Sequence, residues 1–289
     1  MSGAATPPPA STPWQQARAQ LYQRPLAVAA LVVLLVVILV ALLGPLFSSY
    51  NFATPSWNEI YQTPSLRHWL GTDALGRDQL VRVLRGCRIS LLVGVAASLV
   101  SVAIGVLWGA TAGYAGGKTD SMMMRFVDIL YTVPFIPLVI VMTVLFGRNF
   151  LLVFVAIGVV SWLDIARIVR GQTLSLKQRE FIEAARALGV RTPTMIMRHL
   201  VPNLIGVVII YATLTVPTVI LFEAFLSFLG LGVHAPLASL GSLVSDGADH
   251  LQSQPYLLTA PAILLAVIIA CFSYLGDGLR DALDPRARH

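Results

Sequence analysis

Six apolar runs, each close to 20 residues long, limit what this chain can fold into. A run of that length crosses the hydrocarbon core of a bilayer as an α-helix, and none of the runs alternates like a membrane β-strand. With 56% hydrophobic and 12% charged residues, the chain is too apolar for a single soluble core. We therefore predict an all-α, polytopic membrane protein with about six transmembrane helices, at residues 26–46, 89–112, 127–146, 150–168, 204–229 and 257–276.

Basic residues beside these runs predict that both termini lie in the cytoplasm, because Lys and Arg are retained on that side during insertion. Most of the 20 Lys and Arg residues then fall in inside segments. The exceptions crowd in front of the second run and include Arg77, Arg82, Arg85 and Arg88. Since the basic residues occupy short stretches between apolar runs, membrane topology explains the pI of 9.7 better than nucleic-acid binding does.

The segments between the runs define the remaining organisation. Residues 1–25 begin with a stretch rich in Pro, Ala, Ser and Thr, and we expect a disordered cytoplasmic tail. The run at 26–46 is longer than a signal-peptide core and precedes no A-x-A-like site, so it is expected to stay as the first transmembrane helix. Further boundaries place an extracytoplasmic loop at 47–88, a transmembrane core at 89–279, a cytoplasmic loop at 170–203, a second extracytoplasmic loop at 231–256 and a cytoplasmic tail at 280–289.

The segment GYAGGKTD at 113–120 ends like a phosphate-binding P-loop, but its spacing fails. A P-loop has a glycine five positions before its second glycine, and here Ala112 stands five positions before Gly117. The segment also follows an apolar span and not a β-strand. Its glycines predict a tight turn between two spans.

Signatures of catalysis are missing as well. The chain has no G-x-S-x-G and no H-E-x-x-H, and its five histidines lack ligand spacing. Cys87 and Cys271 lie far apart and belong to no metal-ligand cluster. We therefore expect no catalytic residue, no metal and no cofactor in this chain.

Four residues within the predicted spans are unusual for a membrane helix. Glu223 lies in the fifth span, where a charged side chain is costly and normally faces protein or water. Pro134, Pro137 and Pro217 predict kinks, because proline removes a helix hydrogen bond, and kinked helices often line a cavity. Glu223, Pro134 and Pro217 are therefore candidates for a substrate pathway. A packed, hydrogen-bonded glutamate is the alternative for Glu223.

The inside loop at 175–203 has the pattern of a helix, a turn and a second helix. Polar residues including Glu183 alternate with an apolar face formed by Phe181, Ala184, Ala185 and Leu188. Such an amphipathic helix, with small alanines where another chain could approach, fits a docking element for a partner protein. Its spacing alone fits a helix on the membrane surface equally well.

Turn chemistry supports the same hairpin. Gly189 suits the position just after the end of the first helix. Thr192 can cap the second helix with Pro193 in its first turn, and Pro202 is expected to end that helix before the fifth span.

At this hairpin the chain resembles the cytoplasmic loop of ABC importer permeases. That loop reads EAA, three residues, glycine, and then a proline thirteen positions after the glycine. Here these positions are Glu183, Ala184, Ala185, Gly189 and Pro202. The resemblance extends to the oligopeptide branch of the family through GTDALGRDQL at 71–80, RFVDILYTVP at 125–134, SWLDIARIVRGQTLSLKQREFIEAA at 161–185, FLSFLGLG at 225–232 and GDGLRDALDP at 276–285.

This resemblance implies a non-catalytic, six-helix permease subunit of a type I importer in the bacterial inner membrane. Its implied partners are a homologous second permease chain, two cytoplasmic ATPase subunits that bind ATP and Mg²⁺, an extracytoplasmic peptide-binding protein and the lipid bilayer. The ATPases would contact Phe181, Glu183, Ala184, Ala185, Leu188 and Gly189.

Three alternatives stay open. The same permease architecture serves dipeptides, nickel and other small cargo. A secondary transporter or channel would use Asp164 and Glu223 as ion-coupling carboxylates, but no convincing repeat relates the two halves of the chain. An intramembrane enzyme would need a nucleophile and a base, which no motif supplies.

Overall fold

The computed structural model describes residues 19–146, 150–233 and 236–283. Most of the predicted tail at 1–25 and the end of the tail at 280–289 lie outside these ranges. The described chain folds into helices, which confirms the predicted all-α class. They are α1 (Pro25–Phe47), α2 (Gln79–Ala115), α3 (Gly117–Thr132), α4 (Phe135–Phe146), α5 (Phe150–Leu176), α6 (Glu180–Ala187), α7 (Thr192–Phe228), α8 (Leu240–Asp249) and α9 (Tyr256–Leu283).

Four helices within the described ranges are long and apolar enough to cross a bilayer, namely α1, α2, α7 and α9. Together, α3 and α4 meet the same criterion as a fifth span that is bent by 77°. The predicted span at 150–168 lies within α5. The number of six spans and the cytoplasmic position of both termini stay predictions.

Prolines explain where the helices break and where they continue. Pro134 lies between α3 and α4, and the residue before it, Val133, is extended because proline disfavours a helical neighbour. Pro137 falls in the first turn of α4, where an amide needs no helical partner. The predicted kink in the third span is thus confirmed. Pro217, in contrast, lies inside α7 without interrupting it.

The central helix α2 begins earlier than predicted. Asp78 caps it, because its Oδ1 accepts a hydrogen bond from the Val81 amide at 3.0 Å, and the helix therefore starts at Gln79 and not at residue 89. Its 37 residues extend for about 55 Å, more than the roughly 30 Å hydrocarbon core. The predicted loop at 47–88 therefore ends in helix, which carries Arg82 and its neighbouring arginines.

Small residues bring α2 and α5 into close contact. Gly105, Gly109 and Gly113 recur at every fourth position of α2, the spacing of small residues at membrane helix contacts. A Cβ atom at Gly105 would lie 2.7 Å from Cβ of Ile165, and one at Gly109 would overlap the carbonyl oxygen of Ala166. The two backbones therefore touch along this stripe.

The connecting segments gather at opposite ends of α2. At one end, which the predicted topology places outside, the Tyr61 hydroxyl lies 2.7 Å from Nε2 of His250. We call this the outer end and define it as residues 48–82, 229–233 and 236–256. At the inner end, defined as residues 114–132 and 167–200, Lys177 Nζ donates to the Tyr114 carbonyl at 2.6 Å. Where α2 meets α3, Gly116 and Gly117 have φ of +67° and +54°, which confirms the predicted tight turn at these two glycines. Gly113, also predicted in the turn, lies inside α2.

Candidate functional site

The hairpin at the inner end begins with α6, whose charges suit a helix. Glu180 and Glu183 lie in the first turn and Arg186 in the last, so each charge opposes the partial charge of the helix end. Gly189 follows with φ of +76° and donates to the Arg186 carbonyl at 3.0 Å, while Val190 donates to the Ala185 carbonyl at 3.2 Å. These two bonds form a Schellman motif and confirm the predicted position of Gly189.

The apolar face predicted for α6 is partly buried and partly exposed. Ile182 and Ala185 are buried, whereas Phe181, Ala184 and Leu188 are exposed. The four predicted residues fall within about 100° of the helix circumference, so they do share one side of α6, as predicted. Ala185 lies at the edge of that side next to Ile182, where α7 covers it. Phe181, Ala184 and Leu188 form what we call the exposed ridge.

Exposure of this ridge is high for apolar side chains. Leu188 is 85% exposed and Phe181 is 42% exposed. Glu183 is exposed beside them, and within the described part of the chain it has no ion-pair partner. An apolar surface bordered by an unpaired charge is typical of an interaction site.

The second arm of the hairpin differs from its prediction. Arg191, and not Thr192, occupies the N-cap of α7, so Thr192 is its first residue and Pro193 lies in its first turn. The helix then widens into a π-helical segment at Met195–Leu200 and passes through Pro202 without ending. A π turn shifts each hydrogen bond by one residue, which accommodates the missing amide of Pro202. The hairpin is therefore continuous with the fifth predicted span.

Buried apolar contacts connect α6 firmly to this arm. Ile182 and Ala185 belong to one buried cluster with Met195, Leu200 and Leu204 of α7. The same cluster includes residues of α2 and α5. A force on α6 is therefore applied to α7 directly.

Polar contacts add to the packing at the inner end. Arg170 of α5 makes a two-pronged ion pair with Asp120 of α3, at 2.5 and 2.7 Å. Arg167 pairs with Asp128 at 2.7 Å and lies over the Tyr131 ring. These bonds hold α3 against α5.

The three candidate pathway residues occupy different surroundings. Pro134 is exposed at the bend, while Pro217 and Glu223 are buried in α7. The Glu223 side chain is fully buried and accepts hydrogen bonds from Ser90 and Ser227 at 2.9 and 2.7 Å. Their assignment to a pathway stays a prediction, and in this conformation they share no common surface.

The outer end contains an ionic cluster that no sequence motif predicted. Asp73 accepts from Arg77 Nε at 2.8 Å and also binds Arg82, and all three side chains are buried. Arg82 lies 3.5 Å from Asp246 of α8 as well. The signal for this cluster in the sequence is the alternation of two acids, Asp73 and Asp78, with Arg77 and Arg82 in the segment at 71–82.

Other polar groups of the outer end are paired too. Arg67 binds Glu59 at 2.8 Å, and its pKa is raised by a hydrogen bond to Tyr50 and then by the charge of Glu59. His68 is buried and contacts Asp78 through Nδ1 at 2.9 Å. The outer end thus satisfies most of its charges within the chain.

A cavity of about 200 Å³ lies between the two outer segments. Its lining includes Asp73, Arg82, Asp246 and His250, together with Tyr61, whose φ of +51° is rare for a tyrosine.

Metal and thiol chemistry have no support in the described ranges. No group of three or more His, Cys, Asp and Glu side chains there is arranged to hold a metal ion. Cys87 and Cys271 are both buried free thiols.

Comparison with known proteins adds sequence relatives for most of the chain. Residues 105–289 match the family model of the binding-protein-dependent transport system inner membrane component. Residues 12–64 match the model of the N-terminal TM domain of oligopeptide transport permease C.

Several curated relatives match nearly their full length. The oligopeptide transport system permease protein OppC of Escherichia coli K12 is 54% identical over 95% of this chain and 92% of its own. The OppC protein of Haemophilus influenzae is 50% identical, over 95% and 89%. The dipeptide transport system permease protein DppC of Bacillus subtilis is 44% identical, over 95% and 86%.

Among solved structures, an inward-facing form of the MetNI methionine ABC transporter matches with a TM-score of 0.56 at 21% identity. The match covers 71% of this chain and 97% of that one. It shows a shared fold.

Proposed function

The chain belongs to the family of binding-protein-dependent transport system inner membrane components, and from this premise we propose that it is the permease subunit of an ATP-driven oligopeptide importer. It is a multi-pass protein of the bacterial inner membrane. The observation that carries the function is its 54% identity, over 95% of the chain, to a protein named an oligopeptide permease.

Energy for transport comes from other subunits in this proposal. The only stretch that ends like a P-loop, at 113–120, has the wrong spacing and forms a tight helix-to-helix turn. Two cytoplasmic ATPase subunits therefore bind ATP and Mg²⁺, and this chain acts as a non-catalytic permease.

The exposed ridge is the contact for an ATPase subunit. Phe181 and Leu188 enter an apolar groove on the ATPase, and Ala184 between them allows close approach. Glu183 pairs with a basic group at the edge of that groove, which explains an exposed carboxylate without a partner in the described chain. Gly189 sets the turn that presents the ridge.

Motion of the ATPases then reaches the membrane through the hairpin. Because α6 packs on the first turns of α7, and α7 continues without a break to Phe228, a displacement of the ridge moves a membrane helix directly. A homologous second permease chain supplies the other half of the pathway, and the two chains alternate between open sides.

A peptide-binding protein delivers the cargo at the outer end. The segments there are long and internally braced, and Trp57 and Trp69 are about two-thirds exposed. Exposed aromatic residues above a membrane suit either headgroups or a docked protein.

Dipeptides are the second candidate cargo. The relative named a dipeptide permease is 44% identical to this chain, as is OppC of the same organism, whereas the two other named oligopeptide permeases are 54% and 50% identical. Oligopeptides are therefore favoured.

The test is ATP-dependent uptake by the complex that purifies with a tagged form of this chain. Proteoliposomes containing the complex and its binding protein are given radiolabelled tri- to pentapeptides of alanine and lysine, with or without ATP. Glu183→Ala should abolish uptake and release the ATPases, because the interface loses the carboxylate that pairs with a basic group of the ATPase. Glu180→Ala is the matched control, since Glu180 is an exposed acid in the same helical turn.

Uptake driven by an ion gradient without any ATPase would disprove the importer and favour the secondary transporter. Uptake of dipeptides alone would replace the proposed cargo. If Glu180→Ala impaired uptake and ATPase binding as much as Glu183→Ala, the exposed ridge would not be the ATPase contact.

A further inference from the structure

Glu223 is the centre of a buried hydrogen-bond network at the outer end of α7. Its Oε2 accepts from the Ser90 hydroxyl of α2 at 2.9 Å, and its Oε1 accepts from the Ser227 hydroxyl at 2.7 Å. Glu223 and Ser90 have no exposed surface, and Ser227 has almost none. Each carboxylate oxygen therefore has a hydroxyl donor from a serine of this chain.

Each of these serines continues the network to the start of α8. The Ser90 hydroxyl accepts from the Leu240 amide at 3.1 Å. The Ser227 hydroxyl lies 3.2 Å from that of Ser239, which is the N-cap of α8. Glu223 thus binds the first turn of α8 twice, once through each serine.

The position of Glu223 also suits its charge. The amides at a helix N-terminus carry a partial positive charge, and the Leu240 amide is one of them. A carboxylate linked to that amide through a hydroxyl is stabilised by it, and hydrogen bonds to charged groups are the stronger kind. The hydrogen bonds of Glu223 therefore join three helices, α7, α2 and α8.

Backbone packing surrounds the same point. A Cβ atom at Gly241 would overlap the backbone of Ala224, which follows Glu223 in α7. A Cβ atom at Gly86 of α2 would lie 3.1 Å from the Ser239 carbonyl carbon. The first turn of α8 is therefore in direct backbone contact with α7 and lies very close to α2.

We propose that Glu223 is a positioning residue that fastens α8 to α7, so that the outer end moves with the hairpin during transport. At its other end α8 reaches the first outer segment and α9, because Asp246 contacts Arg82 and Gly247 lies directly against Leu258 of α9. We name the set of Glu223, Ser90, Ser227 and Ser239 the glutamate clamp. This proposal rests on the proposed function.

One helix links the clamp to the exposed ridge. α7 contains 37 residues, which is about 55 Å of helix. Its first turns pack under α6, and Glu223 lies near its last turn. Because the helix has no break between these points, a tilt imposed at the hairpin reaches the end of α7 beside α8. The glutamate clamp then determines whether α8 moves with α7.

The clamp gives Glu223 a role other than contact with cargo. A pathway residue would change which peptides are carried and how tightly they bind. A clamp residue would change how much transport results from each ATP, whatever the peptide.

The experiment compares Glu223→Gln, Ser90→Ala and Ser227→Ala in the reconstituted complex. Gln keeps the volume of Glu, but one carboxylate oxygen becomes an NH₂ group. That group cannot accept the hydrogen bond that the facing serine hydroxyl donates. Ser98→Ala is the matched control, because Ser98 is a buried serine of α2 whose hydroxyl has no hydrogen-bond partner in the described residues. The readout is the ratio of peptide imported to ATP hydrolysed, with ATPase binding measured in parallel.

The expected result is a fall in this ratio of roughly tenfold for Glu223→Gln, the scale of one lost hydrogen bond to a charged group. Ser90→Ala and Ser227→Ala should lower it less, and Ser98→Ala should leave it unchanged. The KM for peptide should stay at its wild-type value. A changed peptide preference with an intact ratio would overturn the clamp and return Glu223 to the pathway.

A second measurement does not depend on transport. Ser245 of α8 donates to the Phe228 carbonyl of α7 at 3.0 Å, so a cysteine pair made by Phe228→Cys and Ser245→Cys reports whether the two helices stay together. A short thiol cross-linker should join this pair several-fold more slowly in Glu223→Gln than in the wild type or Ser98→Ala.

These measurements separate the two proposals. Unchanged cross-linking in Glu223→Gln would disprove the clamp, even if the variant complex proves too unstable to assay. If the wild-type complex imports no peptide, the proposed cargo is wrong. If cross-linking is nevertheless slower in Glu223→Gln than in the wild type, the glutamate clamp is retained.

Discussion

The ionic cluster at the outer end and the exposed ridge at the inner end differ in how their side chains are partnered. At the outer end, Arg77 and Arg82 pair with Asp73. These two arginines are among the exceptions to the predicted topology, in which most basic residues lie inside. At the inner end, Leu188 and Phe181 are exposed and Glu183 has no ion-pair partner in the described chain. The ionic cluster of the outer end is paired within this chain, whereas the exposed ridge of the inner end presents a surface that another protein can complete.

This difference predicts two kinds of mutant. Changes at the outer end should alter the stability of the chain, because they leave buried charges without partners. Changes on the exposed ridge should weaken association with the ATPase and leave the free energy of unfolding unchanged. The reason is that those side chains are exposed and make few contacts within this chain.

Asp73→Ala should have the largest effect on stability. It leaves the buried guanidinium groups of Arg77 and Arg82 without their shared carboxylate, a loss of about 3–5 kcal/mol. Thermal unfolding of the detergent-purified chain measures the change, together with the amount of protein in the membrane fraction. Asp281→Ala is the control, since Asp281 pairs with Arg24 at 3.3 Å on the surface and should cost less than about 1 kcal/mol. Equal losses would mean that the outer end is not held by this cluster.

Leu188→Ser should have the next largest effect, on association only. Removing a central apolar contact of an interface costs about 2 kcal/mol or more, which is roughly a thirtyfold weaker complex. Titration of purified ATPase subunits against the permease in nanodiscs measures this affinity. Leu66→Ser is the matched control, because Leu66 is an exposed leucine of the outer end, far along the chain from the hairpin. Weaker binding in both variants, or unfolding in Leu188→Ser, would contradict the distinction between the two ends.

Gly189→Ala should have the smallest effect, through backbone strain. With φ of +76° at this position, a Cβ atom costs about 1 kcal/mol. Gly171→Ala is the control with the opposite sign, since Gly171 lies in helix α5 with open space around it, where alanine stabilises by about 0.5–1 kcal/mol. Chemical unfolding in detergent compares the two. A stabilised Gly189→Ala would show that the turn is free to change its conformation.

The residues of the hairpin show how far sequence patterns reach. The glycine at the end of α6 and the kink at Pro134 were predictable, because each depends on a backbone conformation that few residues adopt. The division of the apolar face was not, since Ala185 and Ala184 look alike until α7 covers one of them. The continuity of α7 through Pro202 depends on the π-helical segment, for which the sequence contains no signal.

Glu223 shows the same limit in the membrane. Its presence in an apolar run indicated a special role, with a pathway and a packed glutamate as alternatives. Only the positions of Ser90, 133 residues away in the chain, and of the α8 cap show that its oxygens are satisfied within the protein.

The sequence by itself determined the class of protein, its apolar helices, the turn at Gly116 and the hairpin, because these follow from local hydrophobicity and from local backbone preferences. The tertiary structure decided where α2 begins, which side chains of α6 stay exposed and what Glu223 contacts. Those features depend on groups that are distant in sequence and meet only when the helices pack, so no local pattern records them.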